Sequence, residues 1–539
     1  MLIAAMRPAR FVVLGGGIAG LSAAHKLSSA CPRAQVVLVE ASSRLGGWLW
    51  SERRDDFLFE RGCRGIRPSG ASGTQVIELI DELGLGRVTL STAAQSSPRF
   101  IWQSSERGLE EVPSSIFSAL RSPLTRDALA WALRDIFAPS RAAGAAGLPD
   151  DESVSSFASR HFGEHVTRVL LDAALGGIHA GDIDALSARS VLSFLWEAQA
   201  RGVWAGGRYS SVLLGLLRAP HVAPPSFHTP PSPPSATAER LRGAATISFT
   251  DGVGALPRAL EACLRKRVGV ELLTSYRAES LEVCGRAGAD GSSSSASVRV
   301  RVSPLMPCDG GQRVLEADAV ICALPAAQLA PLLAASSGRS RLELATAGAS
   351  AQPRANVGVV SLAWRHAPGP TIASAAWCKG PLLPKPGFGY LVPRKARPEG
   401  APPVLGATFD SSVFPGQALG NAPETRVTVM LGGATHDISG WSHAALERAA
   451  LDSIRAQAGV NPRCGTPPHA LLVTVANAAI PQYTVGHASR MADVFDGVRD
   501  AFSGRVLLVG NSWAGVGAAD SIAGGRSAAA RVLSESGLT

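Results

Sequence analysis

The strongest constraint on this chain lies near its amino terminus, where an apolar strand runs straight into a glycine turn and a helix. Arg10-Phe-Val-Val-Leu14 is followed without a spacer by Gly15, Gly16, Gly17, Ile18, Ala19 and Gly20, and small residues then continue to Leu27. Each glycine has its own physical reason. Gly15 permits the tight turn, Gly17 lets a pyrophosphate approach the backbone, and Gly20 lets the helix lie close on the strand. A second strand, Gln35 to Glu40, completes the start of a βαβ unit, and Glu40 ends it where a carboxylate can take ribose hydroxyls. A lone G-x-G-x-x-G says little. With both strands and the acid in register, it predicts dinucleotide binding.

The residues after Glu40 narrow the choice of dinucleotide. Arg44-Leu45-Gly46-Gly47 gives E-x-x-x-R-x-G-G, which places a guanidinium and two residues without side chains along the path of a pyrophosphate and ribityl chain. No second complete glycine fingerprint follows for a separate nicotinamide domain, since Thr250-Asp-Gly-Val-Gly-Ala-Leu-Pro lacks the third glycine. At the far end, Arg505 to Val509 reads as a strand, Gly510 to Asp520 as a glycine-rich turn, and Ser521 to Leu533 as a helix. A helix amino terminus offers free N–H groups and partial positive charge, which would favour an anionic reduced flavin.

At 539 residues the chain exceeds one ordinary core, so two or three domains are expected. The most apolar stretch, Ala319 to Ala335, is interrupted by Pro325, Gln328 and Pro331 and reads as a strand followed by a short helix, so no membrane span is expected. The net charge of +9 is almost all arginine, and without a Lys/Arg block or zinc-finger spacing it gives no nucleic-acid partner. Eight scattered cysteines without C-x-x-C spacing fit free thiols, neither a disulfide scaffold nor a metal site. Met1 to Arg10 is too short for a cleavable presequence.

Cofactor-type segments at both ends imply an α/β fold with a discontinuous Rossmann-like dinucleotide-binding domain, which the flavoprotein resemblance given below makes an FAD-binding domain. A mixed α+β substrate domain and a mainly helical membrane-associating insertion complete the expectation. The boundaries read as follows: 1–98, 248–330 and 481–539 form the FAD-binding domain, 99–217 the helical membrane-binding and substrate-access region, 218–247 a proline-rich insertion without regular structure, and 331–480 the substrate domain. In the helical region Ile116, Leu120, Leu129, Trp131, Leu133, Ile136 and Phe137 form an apolar face among Arg121, Arg126 and Arg134, which suits either a buried or a bilayer-surface helix. A polar stretch from Gly285 to Ser297 reads as the enlarged tip of a hairpin. Short strands are expected at Gly358 to Trp364, Gly387 to Pro393, Val404 to Phe409 and Arg426 to Gly432.

The E-x-x-x-R-x-G-G run resembles the flavoprotein family of amine oxidases, phytoene desaturases and protoporphyrinogen oxidases. Within it, Arg44 to Trp48, Arg61-Gly-Cys-Arg-Gly-Ile-Arg-Pro68, Gly387 to Pro393, Arg426 to Gly433 and Ile480-Pro-Gln-Tyr-Thr-Val-Gly-His487 are similar to the protoporphyrinogen oxidases. The resemblance implies FAD held non-covalently, one per chain, by Gly15, Gly16, Gly17, Ile18, Ala19, Gly20, Glu40, Arg44, Gly47, Trp48, Gly62, Cys63, Arg64, Gly65, Ala278, Asn511, Val516, Gly517 and Ala518. It places a porphyrinogen propionate on Arg99 and the macrocycle against Gly176, Gly177, Phe388, Leu391, Met430 and Ile480. Cys63 and Ala519 depart from the family's Pro and Asn, and Ala519 would leave the ring without a nearby polar side chain. The implied reaction is six-electron oxidation of protoporphyrinogen IX to protoporphyrin IX, with O2 as oxidant and H2O2 released. The implied place is the surface of the mitochondrial inner membrane, with a plastid membrane as the alternative; a homodimer and a contact with ferrochelatase stay open. No residue is expected to be catalytic in its own right, because flavin does the chemistry. The rival reading is an amine oxidase or desaturase on the same scaffold, although the former usually flanks its flavin with an aromatic pair and only Tyr209, Tyr276, Tyr390 and Tyr483 are present.

Overall fold

A computed structural model of the chain describes residues 7–93, 98–113, 118, 122–125, 128–140, 151–218, 235–284, 297–306, 310–336, 340–365, 386–421, 423–458, 467–513 and 515–537. Its centre is a five-stranded parallel sheet in the order Val270–Thr274, Gln35–Glu40, Arg10–Leu14, Ala319–Cys322, Val506–Leu508. Strands buried on both faces read as nearly continuous apolar runs, as Phe11 to Leu14 and Val320 to Cys322 do. On one face lie the helices Ile18–Ala30 and Ala518–Glu535, so close that a Cβ on Gly525 would sit 2.1 Å from the Ala19 carbonyl oxygen. On the other face Ala326–Ala334, Ser340–Ser350 and His487–Ala501 bury Leu332, Leu333, Leu342 and Ala345 against Met491, Val494 and Val498.

That packing corrects two expected boundaries. Residues 331–336 and 340–350 pack on the five-stranded parallel sheet, because their leucines and alanines complete its apolar layer. Of the 218–247 insertion, 219–234 lie outside the described residues. The remainder is regular: Ser235 caps the helix Ala236–Arg240, and Ala244–Phe249 pairs with Thr89–Ala93. The Gly285–Ser297 hairpin joins antiparallel strands Tyr276–Cys284 and Ser297–Pro304, its tip at 285–296 again outside the described residues.

A seven-stranded sheet forms the second layer, in the order Ala470–Pro481, Arg354–Arg365, Glu424–Gly432, Val404–Thr408, Gly389–Leu391, Arg99–Trp102, Leu109–Glu111. All neighbours are antiparallel except Gly389–Leu391 with Arg99–Trp102. Arg99–Trp102 and Leu109–Glu111 are therefore strands of this second sheet, where the helical region was expected to start. Alternating burial fixes the register: Val360, Leu362, Val427 and Val429 face the helix His443–Ala458, and Val357, Val359 and Ala476 face the opposite way.

Helices follow from Ala128–Ile136 through Val154–Phe162, Asp172–His179 and Ser193–Arg201 to Val212–Leu217. Asp135, His161 and Ser211 meet in their core, a trio that the sequence did not announce. Asp135 accepts from both partners, from His161 Nδ1 at 2.7 Å and Ser211 Oγ at 2.5 Å, and also from the Val212 and Leu213 amides. The serine therefore points at the acid and away from the imidazole, and the carboxylate is fully buried. The trio pins a helix start and holds no nucleophile. Among the described residues no helix is long and apolar enough to cross a membrane.

Candidate active site

Gly15 and Gly20 make the tight turn and the close helix contact that their spacing predicts. Gly15 takes φ +98°, and a Cβ on Gly20 would lie 1.9 Å from the Gly15 carbonyl oxygen. Gly17 differs from both. Its φ of −70° and ψ of 178° suit any residue, and a Cβ there would meet no atom within 4 Å. The protein has no need of a glycine at position 17, so the need must come from something that approaches it.

Glu40 and Arg44 shape this turn from behind. Glu40 accepts from the Gly16 amide at 2.7 Å and from the Ser42 amide and hydroxyl at 2.7 and 2.8 Å. Arg44, expected to lie open along the cofactor path, donates to the Leu45 and Gly47 carbonyls at 3.1 and 2.5 Å. It also stacks on Trp50 at 4.0 Å, with Arg61 at 4.2 Å from the same ring. This folds Gly47 against Gly17, to within 3.1 Å of a Cβ at position 47. Trp48 is half exposed beside a cavity of about 420 Å³.

Gly62 to Gly65 run alongside Trp48, with the Cys63 amide donating to the Trp48 carbonyl at 3.4 Å. Burial pushes the Cys63 thiol up to about 11, and Sγ donates to the Gly65 carbonyl, so this thiol is no nucleophile. Arg64 is different. Its Nε and one Nη are buried without a hydrogen-bond partner, Asp410 is no closer than 3.9 Å, and the other Nη reaches Met430 Sδ at 3.6 Å. A buried guanidinium with free donors is costly unless a ligand supplies the acceptors.

Val516, Gly517 and Ala518 open the helix Ala518–Glu535, whose N-cap Gly517 makes no side-chain cap; the helix at Gly17 is likewise uncapped. Ala514 lies outside the described residues. Ala519 is buried in the apolar layer that also holds Ile18 and Ile522. Ala278 lies beyond Thr274, the pairing partner of Glu40, and its side chain packs against the buried cluster that holds Val39, Leu273 and Tyr276. The free N–H groups, the open space over Gly17 and the orphaned donors of Arg64 fit a phosphate-bearing, carbonyl-rich cofactor.

The expected substrate residues meet on the second sheet. Arg99 lies 5.2 Å over the Phe388 ring, held there by the pairing of Arg99 with Gly389. A Cβ on Gly177 would be 2.5 Å from Leu391, Leu391 pairs with Gly406, and Gly406 pairs with Met430. Met430 and Ile480 pack on one apolar cluster with Ala180, Val357 and Ala479. These four line one face, and Arg99 with Phe388 stands toward the Leu109–Glu111 end of the same sheet. Sequence reasoning did not single out the residues that brace the Asn511 turn. Tyr483 donates to the Asn511 carbonyl at 2.5 Å, and Gln352 donates to the Ser512 carbonyl at 2.8 Å. Tyr390 is buried on the opposite face, against Phe409. No group of three or more potential metal ligands occurs among the described residues.

The family model described as flavin containing amine oxidoreductase matches residues 18–533. The chain is 37% identical to the protoporphyrinogen oxidase of Bos taurus, over 97% of this chain and 98% of that one. The same identity and the same coverage of both chains hold for the Homo sapiens enzyme. The chain belongs to the flavin containing amine oxidoreductases, in their protoporphyrinogen oxidase branch. Among solved structures of this family's fold, cyclohexylamine oxidase from Brevibacterium oxydans IH-35A superposes with a TM-score of 0.61 at 15% identity, covering 98% of this chain and 100% of that one. As a family member the chain is a flavin-dependent oxidoreductase.

Proposed function

We propose that this enzyme oxidises protoporphyrinogen IX to protoporphyrin IX with one non-covalent FAD per chain, at the surface of the mitochondrial inner membrane. The observation that carries the reading is one apolar face, formed by Gly177, Leu391, Met430 and Ile480, with a cation over an aromatic ring at its edge and Arg64 beside it. A macrocycle needs the flat apolar face and its propionate needs the cation.

In this reading FAD lies along Gly15 to Gly20, Glu40, Arg44, Gly47 and Trp48, and between Gly62–Gly65 and Val516–Ala518. FAD supplies the hydride acceptor when bound; three turnovers remove six electrons and six hydrogens, and three O2 leave as three H2O2. The chain's own residues orient and shield. Arg99 holds one propionate in its planar fork, Phe388 and Leu391 support the macrocycle, and Gly177 leaves room where any side chain would strike Leu391. Burial holds His179 and His487 down to about 4, so neither carries charge near neutrality.

Arg99 provides the test. It makes no ion pair among the described residues, so Arg99→Ala removes little from the fold. Losing a charge-assisted hydrogen bond of about 1.5–3 kcal/mol should lower kcat/KM roughly ten- to hundredfold. Arg99→Lys should recover only part, because a point charge cannot reproduce the fork. Flavin content should stay constant. Wild-type kcat/KM in flavin-replete Arg99→Ala would place the propionate elsewhere.

A further inference from the structure

Gln482 and Tyr483, just beyond Ile480, occupy a junction to which the proposed reaction assigns no role. Gln482 and Tyr483 are 3% and 4% exposed, although each carries a polar group that must be satisfied. Gln482 Nε2 donates to the His179 carbonyl at 2.8 Å and to the Ile480 carbonyl at 3.1 Å. His179 ends the helix that carries Gly177, and Ile480 is on the apolar face, so Gln482 ties together two parts of the porphyrin site.

The next side chain points at the Asn511 turn. The Tyr483 hydroxyl donates to the Asn511 carbonyl at 2.5 Å and accepts from the Gly515 amide at 3.0 Å, which closes the turn leading into Val516–Ala518. The Tyr483 ring is stacked on His487 at 4.0 Å and 11°, and the Tyr483 carbonyl accepts from the Ser187 amide at 2.8 Å. Burial raises the phenol above its ordinary value, so it remains a donor throughout the physiological range. One peptide unit thus separates a bond to the helix that carries Gly177 from two bonds to Asn511 and Gly515.

We propose that Gln482 and Tyr483 are positioning residues that couple occupancy of the porphyrin face to the grip on the flavin, an inference resting on the site assignment above. A porphyrin seated against Gly177 fixes the carbonyl end of its helix. Gln482 transmits that to Tyr483, and Tyr483 holds Asn511 and Gly515 through its hydroxyl. Coupling between two bound groups is reciprocal, so flavin must tighten porphyrin binding by the same factor that porphyrin tightens flavin.

The experiment follows flavin release from the holoenzyme by fluorescence, with and without saturating protoporphyrin IX, which is stable in air. In the wild type, porphyrin should slow release about fivefold, the scale of one or two neutral hydrogen bonds. Tyr483→Phe keeps the stacked ring and loses only the hydroxyl; it should release flavin about fivefold faster and no longer respond to porphyrin. Gln482→Leu should abolish the response through the other end of the link. A brace with only a structural role would lower Tm in both variants and leave the porphyrin-to-free ratio at its wild-type value. An unresponsive wild type, or a wild-type ratio in either variant, overturns the coupling. If one variant does not fold, the other decides. Turnover of protoporphyrinogen IX by the same wild-type preparation separates the outcomes: turnover without coupling rejects only this inference, and no turnover rejects the proposed function itself.

Discussion

Gly17 shows how much a single position can reveal. Gly15 and Gly20 are required by the protein, through a positive φ and a close carbonyl. Gly17 meets neither condition, and its backbone would accept valine. Gly17→Val should therefore give a folded protein with unchanged Tm in the flavin-free form, yet colourless as purified. A yellow variant with stoichiometric flavin absorbance would refute this assignment of the turn. Much of this was legible beforehand, because a strand, a glycine run and an acid at fixed spacing leave few alternatives. The posture of Arg44 was not: its spacing gave its place, and the Trp50 ring and two carbonyls that engage it come from tertiary packing. Tyr483 lay inside a recognised run, but a buried tyrosine reads as core until its hydroxyl's partners are known.

Among elements, short strands were the easiest to read and their sheet membership the hardest. Alternation located Val404–Thr408 and Glu424–Gly432, but nothing local tells Arg99–Trp102 that its partner is Gly389–Leu391, far along the chain. The helical region leaves apolar groups in solvent. Leu133 and Phe137, one turn apart, are 53% and 55% exposed, and Leu217 is 83% exposed. Phe137 clusters with Trp204 and Tyr209 at 5.7 and 5.9 Å, and Arg208 lies over Tyr209. Ile116 and Leu120 of the expected face lie outside the described residues, as does the Leu129 side chain. Exposed aromatics beside arginine suit the headgroup level of a bilayer. Leu133→Ser with Phe137→Ser should cut co-sedimentation with anionic liposomes at least by half, without moving Tm. Unaltered sedimentation would mean that this surface does not meet the bilayer.

Over the whole molecule, strands from four separated stretches build the five-stranded sheet, and the seven-stranded sheet borrows Arg99–Trp102 and Leu109–Glu111 from before the helical region. The interleaved pieces touch at Arg64 with Met430, Gly177 with Leu391, and Tyr483 with Asn511. The sequence showed the pieces because each carries its own motif, and withheld the contacts because they join residues far apart in the chain. The most direct test of the whole account is turnover. Purified flavin-replete enzyme, given protoporphyrinogen IX under air, should produce porphyrin fluorescence well above the spontaneous rate, with three H2O2 formed per porphyrin. Porphyrin appearing no faster than without enzyme, while the bound flavin is still reduced by an amine, would contradict it.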